Sequence, residues 1–527
     1  MNIAHQVGLR ATMADGTELV ADAWLPSDGG RYPVLLQRLP YGRTVASSLV
    51  LPHPSWFARH GYAVVVQDCR GRGDSGGTFE PFVDEGADGA ATIEWAAGLP
   101  FADGRVATYG FSYQGLNQLY AAARRPKGLC AIAPMMCARD PYEGWTYEGG
   151  TLRWPFACFW AAQLAGQDAH RPPVPYDTSM VPIIDALGAD PPRWFQEWLA
   201  HPEDDGYWTA RRPDLQAIEV PAFSVLGWFD DFSSGTAQLV GSLGAEAWFG
   251  PWSHMPWGTV HGGIEFGVDG SPSGLPAALL AFFDRAFGRS QAASKPPVRY
   301  FVINEGWREA EQWPPLAHTR RWSALSESGS ALSRWGDGRL LEIIGEEDRV
   351  LGAPVPVVVE PHAPVPGGPI DYQDESAIHD RRDLACFDTE ALGEDLVIAG
   401  SPTVRVVTRS DRPRHDLIAT LCVVAPDLSA RVVTSYAQRM SHGKQVGTER
   451  HWEITLRPIA VRVRAGSSIR LTLGGSRFPC YDLNAHTETQ SAHSRREEQV
   501  VATIEILAAG IALPVVDTLP ASGSAAD

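Results

Sequence analysis

The sequence predicts an α/β fold that carries a helical insertion and is followed by an all-β domain. Strand-like apolar runs alternate with helical patterns in the first third, an aromatic-rich segment interrupts them, and period-two strands fill the region after about Trp313. A chain of 527 residues is too long for a single hydrophobic core. We therefore expect two or three domains.

The α/β fold is predicted from short apolar runs bounded by glycine, proline or charge, which are typical of strands buried on both faces. Amphipathic helices are predicted between them, at Glu85–Ala97 and Ser112–Ala123. This alternation implies a parallel sheet with right-handed crossovers. The predicted strands are Pro33–Gln37, Ala63–Asp68, Val106–Gly110, Leu129–Ala133, Ala222–Gly227, Ala245–Gly250 and Val298–Asn304, with a further helix at Pro276–Phe287.

The helical insertion is predicted between about Pro141 and Gln216. Aromatic side chains crowd this segment, which is broken by the proline-rich stretches RPPVP and DPPRW. The aromatic residues are Trp145, Tyr147, Trp154, Phe156, Phe159, Trp160, Trp194, Phe195, Trp198 and Trp208.

The all-β domain is predicted from strands that alternate apolar and polar residues. Val461–Arg464 and Ile469–Leu473 show this pattern on either side of a turn, which places one face of each strand in a core. Many short strands with turn signals predict a β-sandwich or jelly roll. We expect the end of the chain, Pro520–Asp527, to be a disordered tail.

The composition argues against several classes of function. The net charge of −18 disfavours a nucleic-acid partner, because such binding needs a cationic face. The seven cysteines lack CxxC or metal-ligand spacing and are typical of reduced thiols in the cytosol. We find neither a signal-peptide pattern nor an apolar run near the roughly 18 residues of a membrane span. We therefore expect a cytoplasmic protein without a membrane partner, a metal or an organic cofactor.

Ser112 is the candidate nucleophile, because GFSYQG at 110–115 stands between a predicted strand and a predicted helix. A nucleophile elbow needs this sharp turn, in which a glycine beside the serine removes a Cβ clash and Oγ is exposed. The free N–H of Tyr113 at the helix start can stabilise an oxyanion. The second glycine comes one residue later than in G-x-S-x-G, and a Gly-Ser turn that caps a helix is the ordinary alternative.

The candidate acid and base follow the next two strands in the chain order serine, acid, histidine that α/β-hydrolases share. Asp230 ends AFSVLGWFD, and His254 ends AEAWFGPWSH one strand later. Catalytic groups collect at such carboxyl-terminal strand ends. Asp231 is a rival acid that strand position cannot exclude, and His261 is the nearest rival base.

Tyr41 is the candidate for a second oxyanion donor. It follows an early strand in QRLPYGR, at the usual location of such a donor, and a phenol O–H can donate as a backbone N–H does. An ordinary loop tyrosine is the alternative.

Several stretches together resemble the cocaine esterase and X-Pro dipeptidyl-peptidase superfamily, the CocE/NonD group of serine hydrolases. They are PYGR at Pro40–Arg43, QDCRGRGDSGG at Gln67–Gly77, GFSYQG at Gly110–Gly115, GWFD at Gly227–Asp230, GPWSH at Gly250–His254, and in the β-rich half DLVIAGSPTVRVV and Ser476–Pro479. The resemblance explains the late glycine, since that family's elbow is G-x-S-Y-x-G. It implies a triad of Ser112, Asp230 and His254, with the hydroxyl of Tyr41 and the N–H of Tyr113 as oxyanion donors.

The same resemblance implies the domain organisation. An α/β-hydrolase domain is expected at residues 1–140 and 218–312, a helical cap at 141–217, and a jelly-roll β-sandwich at 313–527. Members cleave esters, peptides after Xaa-Pro and side-chain amides of β-lactams, so membership predicts the chemistry better than the substrate.

We expect hydrolysis of a small-molecule ester or amide through an acyl-enzyme on Ser112. The candidate lining of an apolar acyl pocket is Trp145, Trp154, Phe156 and Trp160. Asp140 and Glu143 are weaker candidates for binding a substrate ammonium group, with helix-end charges as the alternative. An acyltransferase, an Xaa-Pro peptidase or β-lactam acylase, and a non-catalytic carbohydrate or interaction module remain alternatives. A homodimer is left open as the assembly state.

Overall fold

The computed structural model describes residues 2–44, 50–165, 175–188, 191–291, 297–343, 351–441, 443 and 445–518. The chain divides into two compact units. The first comprises Met1–Met180, Ile184–Gly258 and Ser271–Arg299, and the second comprises Val181–Ile183, Thr259–Gly270 and Tyr300–Asp527. The four domain boundaries predicted from the sequence stay predictions.

The first unit contains the alternating strands and helices that the sequence predicts. Its strands are β1 (Ile3–Thr12), β2 (Glu18–Pro26), β3 (Tyr32–Leu39), β4 (Ala63–Asp68), β5 (Ala102–Phe111), β6 (Leu129–Met135), β7 (Tyr147–Glu148), β8 (Thr151–Leu152), β9 (Phe223–Phe229) and β10 (Glu246–Ser253). Its helices are α1 (Pro54–Arg59), α2 (Glu85–Ala97), α3 (Tyr113–Ala123), α4 (Trp154–Leu164), α5 (Arg193–Ala200), α6 (Gly206–Thr209), α7 (Ser233–Leu243) and α8 (Leu275–Ala286).

The sheet of the first unit is parallel where the candidate residues lie. Its strand order is β1-β2-β4-β3-β5-β6, with β4, β3, β5 and β6 parallel. The backbone of Met136, just after β6, donates to Val225 O in β9 at 2.8 Å, and β9 pairs in parallel with β10. A parallel bridge between Ile132 and Ala222 sets the direction of β9 relative to β6, so the carboxyl ends of β3, β5, β9 and β10 all point the same way, as the α/β prediction requires.

Apolar side chains explain why these strands are central. Every residue of β4 is buried, and so is every residue of β9. Val34, Val65 and Val106 of three adjacent strands form a core with Ile93 of α2. Strands buried on both faces are expected to read as continuous apolar runs, and this confirms the α/β prediction for the first unit.

The predicted helical insertion contains α4, α5 and α6 together with the two-residue strands β7 and β8. Most of the RPPVP stretch lies outside the described residues. Among the residues that are described, no helix is long and apolar enough to cross a membrane.

The second unit is rich in strands, as the sequence predicts. Its strands are β11 (Val260–His261), β12 (Ile264–Glu265), β13 (Val298–Val302, which begins in the first unit), β14 (Gly306–Ala310), β15 (His318–Ser326), β16 (Arg339–Ile343), β17 (Leu351–Gly352), β18 (Val355–Val359), β19 (Pro366–Gly367), β20 (Leu384–Asp388), β21 (Leu396–Gly400), β22 (Thr403–Ser410), β23 (Arg414–Val424), β24 (Ala430–Ser441), β25 (Arg450–Thr455), β26 (Ile459–Val463), β27 (Ser468–Gly474), β28 (Phe478–Pro479) and β29 (Ala502–Val516).

Some strands of the second unit bury one face, such as β18 and β22, whereas β21, β23 and β27 are buried on both faces. In β22 every second residue is buried, which is the period-two pattern expected from the sequence. The long strand β29 pairs with β15, β18, β21 and β22. The predicted tail, Pro520–Asp527, lies outside the described residues.

The second unit contains buried ion pairs, and Arg477 of the stretch Ser476–Pro479 takes part in one of them. The Arg439 guanidinium donates to the carboxylates of Asp416 and Asp482, at distances from 2.8 to 3.1 Å. Arg477 donates to Glu375 at 2.7 Å, and both side chains are almost fully buried. Removal of one partner alone would leave a buried charge unpaired, which costs about 3–5 kcal/mol.

Candidate active site

Ser112 occupies the strained turn that a nucleophile elbow requires. It connects β5 to α3 with φ 63° and ψ −132°, a conformation that costs a residue other than glycine roughly 1–3 kcal/mol. Its N–H donates to Met135 O at 3.0 Å and to Met136 O at 3.1 Å, at the end of the neighbouring strand β6. Backbone hydrogen bonds to the end of β6 therefore keep Ser112 in this strained conformation.

The two glycines of GFSYQG are explained by close contacts. A Cβ on Gly110, whose φ is 153°, would lie 2.5 Å from the Cβ of Gln114. A Cβ on Gly115 would lie 2.9 Å from Met135 O and 3.0 Å from the Sγ of Cys137. The glycine is therefore needed at 115, where α3 touches the end of β6. The long side chain of Gln114 fits at its position, and its Oε1 accepts a hydrogen bond from Gln37 Nε2 at 2.7 Å.

We expect Gly115→Ala to lower the free energy of unfolding by about 1–3 kcal/mol, because the new methyl group overlaps backbone that cannot move cheaply. Alanine in an unobstructed helix would instead stabilise it. Gly98→Ala is the matched control, since a Cβ there has 3.5 Å or more to its nearest neighbour. Thermal unfolding of the two variants measures the difference. Equal stability of both variants would show that the contact at Gly115 is not restrictive.

Asp230 and His254, the predicted acid and base, are joined by a hydrogen bond. His254 Nδ1 lies 2.8 Å from Asp230 Oδ1. Asp230 is fully buried, whereas the His254 side chain is 23% exposed. A carboxylate accepts this bond, so Nδ1 carries the proton and Nε2 keeps the lone pair that a general base needs.

Strand register brings these residues to one edge of the sheet. Phe229 of β9 pairs with Ser253 of β10, so the residues that follow them, Asp230 and His254, leave the sheet side by side. The ring of Phe111, directly before Ser112, lies 5.5 Å from the imidazole centroid of His254. The elbow and the acid–base pair are thus adjacent.

The rival acid and base have other partners. Asp231 forms an ion pair with Arg153 at 3.2 Å. His261 belongs to the second unit, where its Nδ1 lies 2.6 Å from Asp371 Oδ1. The geometry therefore favours Asp230 over Asp231, a choice that the residues alone left open.

Tyr41 lies beside the elbow, in the loop after β3. Its Oη accepts a hydrogen bond from Trp160 Nε1 at 3.0 Å, and β3 pairs in parallel with β5, the strand that ends directly before Ser112. Burial raises the pKa of Tyr41 to about 12, an effect that the neighbouring side chains of Trp160 and Ser112 partly offset. The phenol therefore stays protonated at neutral pH and keeps a hydrogen to donate.

Two arginines hold the Tyr41 loop. Arg43 donates its backbone N–H to Asp68 Oδ1 at 2.7 Å, and its guanidinium pairs with Asp68 and with Asp22. Arg72 Nε donates to Pro40 O at 2.8 Å. The charged residues of QDCRGRGDSGG therefore fix the loop that carries Tyr41.

The side chain of Tyr113 anchors the start of α3. Its hydroxyl donates to Glu85 Oε1 at 2.9 Å and accepts from the N–H of Phe82 at 3.2 Å. Glu85 is in turn paired with Arg38 at 2.9 Å, with both side chains buried. Sequence reasoning missed this pair, although a charged residue directly after the predicted buried strand Pro33–Gln37 was a usable signal.

The four predicted pocket aromatics differ in position. Trp145 and Trp154 have no accessible surface, and the indole N–H of Trp154 donates to Thr178 O at 2.9 Å. A side chain without accessible surface cannot line an open pocket, so these two pack as core residues. Trp160 contacts Tyr41, and the pocket role of the half-buried Phe156 stays a prediction.

The carboxylates of Asp140 and Glu143 accept hydrogen bonds from nearby backbone N–H groups. Asp140 Oδ1 accepts from the N–H groups of Tyr142 and Glu143, both at 2.8 Å. Glu143 Oε2 accepts from the N–H of Gly149 at 3.2 Å. These bonds support the alternative, a structural role, over binding of a substrate ammonium group.

Comparisons with known proteins agree with this architecture. Residues 15–256 match the family described as X-Pro dipeptidyl-peptidase (S15 family), and residues 290–506 match the X-Pro dipeptidyl-peptidase C-terminal non-catalytic domain. The chain is 30% identical over 549 aligned positions to the cocaine esterase of Rhodococcus sp. (strain MB1 Bresler), an alignment covering 94% of each protein.

Solved structures share the fold over almost the whole chain. An α-amino acid ester hydrolase superposes with a TM-score of 0.81 at 20% identity, covering 98% of this chain and 97% of the other. A CocE/NonD family hydrolase from Staphylococcus aureus superposes with a TM-score of 0.72 at 18% identity, covering 98% and 94%. The family matches and the 30% identity together show that this chain belongs to the cocaine esterase and X-Pro dipeptidyl-peptidase superfamily, the CocE/NonD group of hydrolases.

Proposed function

We propose that this protein is a serine hydrolase that cleaves carboxylic esters of small molecules through an acyl-enzyme on Ser112. The observation that carries the proposal is the 2.8 Å bond between His254 Nδ1 and Asp230 Oδ1 beside a strained serine elbow. A strained turn is retained where function needs it, and here it presents a hydroxyl next to an oriented base.

In the first step the Oγ of Ser112 attacks the ester carbonyl carbon and its proton passes to Nε2 of His254. Asp230 holds the imidazole and stabilises the imidazolium that forms. The carbonyl oxygen becomes an oxyanion, for which the Tyr41 hydroxyl and the Tyr113 N–H are the proposed donors. The oxyanion then re-forms its double bond, the alcohol leaves with the proton from His254, and the acyl group remains on Ser112.

In the second step water attacks the acyl-enzyme. His254 takes a proton from the water, and the resulting oxyanion binds the same two donors. Collapse returns that proton to the Oγ of Ser112 and releases the carboxylic acid. The proposed reaction uses side chains and one backbone N–H of this chain together with water, and it returns each protein group to its starting state.

We propose esters rather than Xaa-Pro peptides as substrates because the carboxylates of Asp140 and Glu143 already accept hydrogen bonds from backbone N–H groups. A peptidase that recognises a free amino terminus needs a carboxylate for the ammonium group. The 30% identity to a protein named cocaine esterase supports the same preference.

The substrate class is tested by comparing an aryl ester, an Xaa-Pro anilide and a cephalosporin side-chain amide. We expect kcat/KM for the aryl ester to exceed both others by at least about 100-fold. Higher turnover of the anilide or the amide would contradict ester specificity while leaving the triad in place. With an added alcohol we expect free acid as the main product, and a new ester as the main product would indicate an acyltransferase.

A further inference from the structure

The indole of Trp160 makes a polar contact with the proposed oxyanion donor. Trp160 lies on α4, is 3% exposed, and donates from Nε1 to Tyr41 Oη at 3.0 Å. An indole N–H can only donate, so in this bond the phenol oxygen must be the acceptor. The phenolic hydrogen of Tyr41 must therefore point away from Trp160.

The elbow lies on another side of the phenol, because β3 and β5 pair in parallel with Leu36 opposite Thr108, so that Tyr41 and Ser112 follow neighbouring strand ends. We propose that Trp160 is a positioning residue, which fixes the hydroxyl rotor of Tyr41 so that its hydrogen meets the oxyanion formed at Ser112. This inference rests on the proposed function, since it assigns a purpose to Trp160 only if an oxyanion forms there.

The surrounding rings hold the indole in place. Trp198 stacks on Trp160 with centroids 5.7 Å apart and planes 7° apart, and Trp145 meets it edge-on at 5.4 Å. The ring of Tyr113 lies 5.6 Å away. These three rings restrict the orientation of the Trp160 indole. Its N–H therefore points at Tyr41 before substrate binds.

A second contact ties the helix of Trp160 to the loop of Tyr41. Arg72 donates through Nε to Pro40 O at 2.8 Å and through Nη1 to Leu164 O at 3.1 Å. Leu164 ends α4, and Pro40 precedes Tyr41. The distance from Trp160 to Tyr41 is thus set by two independent links rather than by one flexible bond.

The inference is tested with a double-mutant cycle on kcat for an aryl ester. Trp160→Phe removes the N–H while keeping an aromatic ring, and we expect kcat to fall about tenfold with KM changed less than about twofold. In a Tyr41→Phe background we expect Trp160→Phe to have no further effect on kcat, because the rotor it orients is gone.

Trp208→Phe is the matched control, since its indole N–H also donates a hydrogen bond, to His201 O at 2.7 Å, and its ring packs on Trp198, one ring removed from Trp160. Its effect on kcat should be the same factor with and without Tyr41. Should Trp160→Phe fold poorly, β-(3-benzothienyl)alanine incorporated at position 160 replaces the N–H by sulfur at nearly equal shape, and the same tenfold loss is expected.

The outcomes separate this inference from the proposed function. Equal losses from Trp160→Phe in both backgrounds would overturn the inference, because Trp160 would then act independently of Tyr41. A Tyr41→Phe variant with unchanged kcat would overturn it too. If Ser112→Ala were still inactive in that case, the hydrolase proposal would stand with a different oxyanion donor.

Discussion

Replacement of Ser112 by alanine is expected to lower kcat/KM for an aryl ester by at least about 10⁴-fold. Without Oγ no acyl-enzyme can form, and only the oxyanion donors and substrate binding remain to accelerate attack by water. The fold should survive, because Ser112 is held by its backbone N–H bonds to Met135 and Met136 rather than by its hydroxyl.

Ser233→Ala is the control for this prediction. Ser233 is another fully buried serine, and its hydroxyl has no hydrogen-bond partner within the described ranges. Loss of an unpaired hydroxyl changes the free energy of unfolding little. The kcat/KM of Ser233→Ala should therefore stay within about twofold of the parent. A Ser112→Ala protein that kept more than about one hundredth of the activity would contradict the assignment and favour a non-catalytic function.

Asp230→Asn is expected to lower kcat by about 10³–10⁴-fold with little change in stability. The amide is nearly isosteric with the carboxylate, but its NH₂ group can donate to Nδ1 of His254. Such a bond favours the tautomer with its proton on Nε2, which cannot accept the proton of Ser112. The 2.8 Å contact and the complete burial of Asp230 hold this pair of groups together in the variant.

Asp231→Asn is the matched control, one residue along the chain and paired with Arg153 at 3.2 Å. We expect it to cost some stability through that ion pair and to leave kcat within about threefold. Steady-state kinetics on the two variants in parallel decide between the carboxylates. The opposite pattern, with Asp231→Asn inactive and Asp230→Asn active, would mean that the acid has been misassigned.

The positions of the three proposed triad residues at strand ends were predictable, because strand ends are marked in the sequence by apolar runs. The serine, the acid and the histidine each follow such a run, and parallel strands deliver their ends to one edge. The choice between Asp230 and Asp231 was not predictable from the pattern. The side chains of two adjacent residues after a strand end point in different directions. Those directions depend on the backbone angles and on contacts with residues far away along the chain, such as the one between Asp231 and Arg153.

The support around the site was largely hidden from sequence reasoning. Trp160 and Tyr41 are 119 positions apart, and no periodicity links a loop to a helix of the insertion. The pocket role predicted for Trp145 and Trp154 failed for a related reason, since aromatic residues in an insertion form its own core as readily as a binding surface. The jelly-roll arrangement, the cytoplasmic location and the homodimer stay predictions.

Covalent labelling tests the central claim, that Ser112 is an activated nucleophile, most directly. The protein is incubated with a fluorophosphonate, which reacts with serines activated by a neighbouring base. Mass spectrometry of the digested protein should then find one adduct, on the Ser112 hydroxyl in GFSYQG, and none in the Ser112→Ala variant. An adduct on another residue, or equal labelling of Ser112→Ala, would contradict the claim.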